Sequence, residues 1–446
     1  MRVKAKDGPK QGLFEKLTSL YIFLLMTVFL FFCGKNGYQG ILQSKVNLFY
    51  LICGGYVLIS VLLFVEEILI GAIKIRSLKW IIAHMSPFQK CVTVYIGLTW
   101  ISSMLSSYGI VTIIGANRYE GALTITLYGV SAILVSKYGK LQKTQLYLVI
   151  AVTTLFSVLC LFQLYGENPF QLYPAGYNYF GAYIDYSGAY LGTIGNVDLV
   201  AAFLCMSIPL LLGTILKSDW KLRATAVIPF ALAMMVLLKM SVLAGLVGVF
   251  GCVTLSIPIL LPQSDKGRRI AWLIFTIASS CGLLLIYFMD IGDGMLHEVH
   301  QLLRGNIDVT FGSSRIYIWQ EVLRRIPEHF WFGTGPDTML KAGIEGFSRF
   351  DTLHGIQIIS EIDVAHNEYL NVLYHQGIFA FIAYGSIIFL SFLKWLRFGG
   401  QSPRIAVLGM GVFGYVIQAF FGFSMCITAP FFWLLLGLLN GCDANN

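Results

Sequence analysis

The sequence predicts an all-α polytopic membrane protein with about twelve transmembrane helices and one large, partly helical outer loop. Three observations predict it. The 446 residues are 57% hydrophobic and only 12% charged, with a mean hydropathy of +0.73. A soluble domain carries about 25% charged residues, so most of this surface faces lipid. Long apolar stretches recur along the chain, and the lysines and arginines fall in short clusters between them. The net charge of +8 therefore reflects topology and gives no reason to expect nucleic acid.

A helix needs about 20 apolar residues to cross the hydrocarbon core. The candidate stretches are 17–34, 48–70, 91–109, 120–136, 144–164, 199–216, 224–239, 241–262, 270–289, 376–395, 405–422 and 424–440. The first resembles a signal peptide but lacks a small-x-small cleavage site and reads as a retained helix. Between later spans lie Lys74, Arg76, Lys79 and Lys90, then Lys137, Lys140 and Lys143, then Lys217, Lys221 and Arg223. Lys266, Arg268 and Arg269 follow, then Lys394, Arg397 and Arg404. A count of twelve puts all these clusters and the basic N-terminus on one face, which places both termini in the cytoplasm. At the break near Lys239 a single bent hairpin is the alternative to two spans.

This topology divides the chain into an N-terminal bundle (1–289), a large outer loop (290–375) and C-terminal helices (376–446). The segment 165–198, also on the outer face, is rich in tyrosine and glycine. The large loop holds six of the seven histidines and twelve of the 23 acids. A loop longer than about 15 residues is usually functional or disordered, and this one is too aromatic for disorder. Ser313 or Ser314 is placed to cap a helix reading RIYIWQEVLRRI that Pro327 ends. Gly333-Thr-Gly-Pro336 reads as a turn. A second helix is expected near Asp363, running into the next span. None of the nine cysteines lies in the loop, so disulfides do not staple it, and no CxxC metal pattern occurs.

His366 is the first candidate for chemistry, because imidazole exchanges protons near neutral pH. Asp363, one helical turn earlier, is placed to orient it. An interfacial, hydrogen-bonded histidine is the plainer reading of position alone. Arg315, in the first turn of the expected helix, adds a bidentate cation to free backbone N–H groups and so suits a phosphate. Pairing with a loop carboxylate is its alternative. Trp319 lies four residues on, on the same face. His297 and His300 are three apart, where the zinc-protease motif needs four, and have no third ligand in view. The tyrosine-rich segment reads as a sugar platform or as an interfacial aromatic belt.

Three stretches together resemble the O-antigen ligase and polymerase superfamily, membrane glycosyltransferases of the GT-C type. Gly192-Thr-Ile-Gly-Asn196 is similar to the family's Gly-Thr-x-x-Asn run opening a helix. Ser313-Ser-Arg315-x-x-x-Trp319 with Phe332-Gly-Thr-Gly-Pro336 resembles its loop-arginine motif and following glycine turn. His366-Asn367, nine residues and Gly377 are similar to its His-Asn/Ser-x9-Gly-x-x-Gly signature. The pattern departs at Ala380, which replaces the second glycine, and at Lys239-Met-Ser241, where the family carries an arginine in a Ser-Arg-Gly-like segment.

The resemblance implies a metal-independent, inverting transfer from an undecaprenyl-pyrophosphate glycan at the outer face of the bacterial cytoplasmic membrane. It implies that Arg315, with Lys239 as the second cation, holds the pyrophosphate. His366 deprotonates the acceptor hydroxyl, and Asn367, Asp363, Trp319, Asn196 and Gly377 support the site. No cofactor is implied. The expected partners are the lipid-linked oligosaccharide donor, a glycan or lipid acceptor, the bilayer and a chain-length regulator. Polymerisation of surface-polysaccharide repeat units and ligation to a lipid, protein or wall polymer share the motif. A lipid-glycan flippase is the rival of another class, predicting mid-membrane ionisable residues and short loops. A peptidoglycan polymerase of the shape, elongation, division and sporulation family is a third, needing Asp351 or Asp363 as its loop aspartate.

Overall fold

The computed structural model describes residues 10–71, 77–172, 190–261, 264–289, 292, 294–351 and 356–443. Each of the twelve apolar stretches is helical over most of its length. The first six helices are α1 (Gln11–Phe29), α2 (Gly37–Leu69), α3 (Pro87–Leu105), α4 (Ala122–Tyr138), α5 (Lys143–Leu164) and α6 (Val197–Lys217). Then come α7 (Trp220–Met240), α8 (Leu243–Leu260) and α9 (Asp265–Phe288). The large loop contributes α10 (Met295–Leu303) and α11 (Phe311–Arg325). The chain closes with α12 (Glu368–Phe398), α13 (Pro403–Gln418) and α14 (Ala429–Gly441).

Among the described residues, eight of these helices (α1, α2, α5 to α9 and α12) are long and apolar enough to cross a membrane. The helices α4, α13 and α14 are shorter but apolar. The architecture is thus an all-α, multi-pass membrane protein. Ser241 takes a left-handed conformation (φ 53°) that ends α7 before α8 begins, so two helices stand there.

The helix α6 is apolar all round and buried along most of its length, as expected of a helix at a bundle centre. It packs on α7, α8 and α13, while α12 lies on α3 and α14 on α4. In contrast, α9 has no buried residue. Basic residues of three separate links, Lys143, Lys217 and Arg404, line one cavity, and beside it Lys140 pairs with Glu15 and Lys143 with Asp219. Lys394 donates to the carbonyls of Asn440 and Cys442.

At the opposite end begin α6, α12 and α14, with the large loop beside them. That loop is more ordered than helix signals foretell. It holds an antiparallel hairpin of β3 (Phe347–Asp351) and β4 (Ile356–Ser360), after a two-residue ladder pairing β1 (Tyr190–Leu191) with β2 (Gly195–Asn196). A small apolar core of Ile318, Val322, Ile326, Met339, Ile344 and Ile362 packs α11 against the start of α12.

Candidate active site

His366 stands just before α12 with a positive φ of 47°, a conformation uncommon outside glycine. Its neighbours hold it there. The preceding residue, Ala365, is fully buried and pinned at both peptide groups. Its N–H donates to Asn371 Oδ1 (2.8 Å), and its carbonyl accepts the Trp319 indole N–H (2.9 Å). The following residue, Asn367, caps α12 by accepting Leu370 N–H at 3.0 Å. Glu368 N–H then donates to the carbonyl of Ala419 on the α13 side (2.9 Å). The helix thus starts at Glu368, five residues later than Asp363. The Glu368 carboxylate, itself buried, accepts the hydroxyls of Tyr384 and Tyr415.

Arg315 and Trp319 share α11, as their spacing requires. The serines before Arg315 do not cap it. Gly312, Ser313 and Ser314 all lie in the left-handed region (φ 61°, 58° and 66°), and right-handed helix starts at Arg315. Arg315 donates to the Gly312 carbonyl (2.9 Å), while its buried Nε has no hydrogen-bond partner among the described residues. Ile326 follows the last residue of α11 and opens a 3-10 turn in which Pro327 is second. Through Trp319, the arginine helix is bolted one residue from His366.

The sequence reading missed Arg118, on the link between α3 and α4. Its Nε and Nη2 each lie 3.0 Å from one Asp363 oxygen, and Asn117 Nδ2 donates to the same carboxylate at 2.8 Å. Asp363 is thereby tied to Arg118 and Asn117 on the α3–α4 link. The guanidinium lies 4.3 Å above the Phe423 ring, and the His366 ring meets Phe423 edge-on at 5.2 Å. Both Arg118 and Arg315 act electrostatically on Asp198 in the first turn of α6. A signal was present: Arg118 stands in a short link between two apolar stretches, apart from the basic clusters.

Asp337 fixes the Arg118 segment by accepting the backbone N–H groups of Asn117 (3.1 Å) and Arg118 (2.9 Å). Burial raises its carboxyl, opposed by those bonds and the Arg118 charge. Burial also pushes the neighbouring Glu120 up to about 8, against the Tyr128 hydroxyl bond. Asp337, Glu120, Glu368 and His375 line a small cavity of about 70 Å³ behind the Arg118–Asp363 pair.

Gly377 breaks α12 (φ 78°, ψ 179°), and the Gly333–Pro336 turn mends the break. Thr334 N–H donates to the Tyr374 carbonyl (3.1 Å), Gly335 N–H to that of His375 (2.8 Å) and Ile378 N–H to that of Phe330 (2.9 Å). A Cβ at 377 would lie 2.3 Å from the Trp331 carbonyl oxygen, so only glycine fits. Two stretches that look independent in sequence therefore form one element. Ala380 is fully buried in the same helix.

The remaining candidates lie apart or do other work. Lys239 stands over the Tyr165 ring at 3.7 Å and lines neither cavity of this site. Asn196 caps α6 through Asp198 N–H (2.9 Å) and Leu199 N–H (3.3 Å). It also lines a cavity of about 380 Å³ with Arg118 and Phe423. His300 Nδ1 is 2.6 Å from the Ile286 carbonyl, and Glu298 accepts Gly312 N–H (3.0 Å), so that segment braces the loop. The tyrosines 173, 177, 179, 183 and 186 fall outside the described residues, while Tyr190 stacks on Tyr38 (5.2 Å).

No curated protein matches the chain. Residues 224–385 match a family model described as O-Antigen ligase, a stretch that runs from α7 into α12 and takes in both Arg315 and His366. The match covers 162 of the 446 residues, so that part of this multi-pass membrane protein is similar to O-antigen ligases, in keeping with the resemblance drawn from the motifs.

Proposed function

We propose that the protein transfers a glycan from an undecaprenyl-pyrophosphate donor and polymerises surface-polysaccharide repeat units. The reaction takes place at the outer face of the bacterial cytoplasmic membrane, with both termini inside. Donor and acceptor meet where the 290–375 loop closes over the bundle. The acceptor hydroxyl oxygen attacks the anomeric carbon from the face opposite the pyrophosphate, so configuration inverts. The carbon–oxygen bond to pyrophosphate breaks, its electron pair leaves on the lipid pyrophosphate, and the hydroxyl proton passes to His366.

Arg315 receives the charge that builds on the leaving group, as fixed cations stabilise such transition states. Its buried Nε, without a hydrogen-bond partner among the described residues, supports that role. Lys239 is the second cation by sequence position, and Arg118 is the arginine that stands beside the His366 ring system. The single observation that carries the reading is the Trp319–Ala365 bond, which ties the arginine helix to the histidine inside the matched segment.

Reconstitution with a lipid-pyrophosphate oligosaccharide alone tests it. A ladder of products means polymerisation. A donor consumed only when a lipid, protein or wall-polymer acceptor is added means ligation, and an inert donor under both conditions sinks the transferase reading.

A further inference from the structure

We infer that the cavity of about 380 Å³ beside Arg118 seats one or two uncharged sugar rings of the glycan. This rests on the glycan-transfer reading and deepens it. The volume lies within the range of small-molecule sites. Its polar wall is made of amides, Gln39, Gln43, Asn117 and Asn196, and its aromatic wall includes Tyr119. Amides both donate and accept, which suits neighbouring hydroxyls, and aromatic rings suit the apolar face of a pyranose. Among the described residues Arg118 is the one charged residue in the lining, and Asp363 already meets its charge. Among the described residues a carboxylate on the ligand finds no free cation there, which favours uncharged rings.

Two features show that this wall is built rather than incidental. Tyr119 has a positive φ of 59°, a strained state for a bulky residue that tends to collect at ligand sites. Its hydroxyl donates to Gln43 Oε1 on α2, which fixes the ring across the cavity. Phe423 also lines the cavity while meeting the His366 ring edge-on. A ring seated here therefore lies one aromatic side chain from the base.

The test uses the full chain in nanodiscs and, as probe, the oligosaccharide released by mild acid from the host's lipid-linked pool. Gly40→Trp fills the cavity: Gly40 lines it, has φ −133°, and an added Cβ meets only Asn36 Cβ at 4.0 Å. Gln43→Leu removes an exposed amide together with its bond to Tyr119 and leaves the buried core untouched. Both variants are expected to weaken oligosaccharide binding about tenfold or more, as loss of a polar partner does, and to leave binding of glycan-free undecaprenyl pyrophosphate unchanged. Saturation-transfer NMR should show the lost contacts on uncharged residues of the probe. Unchanged oligosaccharide binding in Gln43→Leu and Gly40→Trp, no binding by the wild type, or contacts mapped to a uronic acid overturns the inference. Wild-type turnover measured alongside separates that failure from failure of the transferase reading.

Discussion

Arg118 grips Asp363 across 245 residues of sequence through two parallel N–H···O bonds of 3.0 Å. The pair is about four-fifths buried on both sides and joins the α3–α4 link to the segment that presents His366. Removing either partner strands a largely buried charge. Asp363→Asn and Arg118→Ala should each cost about 1 to 3 kcal/mol, read as a lower Tm. The double variant should cost less than the sum of the two. Additive losses contradict a direct pair.

His366→Ala and Arg315→Ala should abolish detectable glycan transfer while leaving membrane insertion intact. Loss of a general base costs about 10²–10⁴ in rate, and loss of a transition-state cation about 10²–10³. Polymer length and yield in cells, with membrane abundance as control, decide it. Normal polymer in both variants removes the proposed chemistry.

Trp319→Phe keeps the ring and deletes the N–H that holds the Ala365 carbonyl. Stability should fall by only about 1 kcal/mol. Turnover should fall roughly tenfold or more, because a small displacement of a reacting group is costly. A variant with wild-type turnover shows that His366 is placed by other means.

Gly377→Ala forces a Cβ to within 2.3 Å of the Trp331 carbonyl at a positive φ. Destabilisation well above about 1 kcal/mol is expected. Ala380→Gly, at a position with ordinary helical backbone, should change Tm far less. Equal effects of the two substitutions contradict the stitched break.

Glu120 supplies a pH signature. Its carboxyl titrates near 8 in the fold against an ordinary value of 4.5. The unfolded chain then ionises first as pH rises, so stability is fully present below about 4.5 and declines until about 8. Glu120→Gln should flatten the Tm-versus-pH curve across that window. An unchanged slope assigns the pH dependence to other groups.

Local patterning made much of this legible. The twelve apolar stretches, the end of α11 before Pro327 and the glycine turn all follow from composition and short-range spacing. The hairpin of β3 and β4 was not legible, because the segment offers no helical period and strand pairing is set by hydrogen bonds between separate stretches. The expected serine cap failed because three left-handed residues precede Arg315. Lys239 looked apt one turn before the family's arginine position, yet the structure sets it on Tyr165.

The sequence by itself determined that lipid surrounds most of the chain, because apolar stretches of crossing length need no distant partner to declare themselves. It also marked His366 and Arg315, through motif spacing. Only the tertiary structure decided which groups meet. Asp363 turns to Arg118, Trp319 reaches Ala365, and the Gly333–Pro336 turn supplies the hydrogen bonds that the α12 break leaves open. Each of these is a bond between segments remote in sequence, and its directionality becomes visible only when the backbone has brought donor and acceptor together.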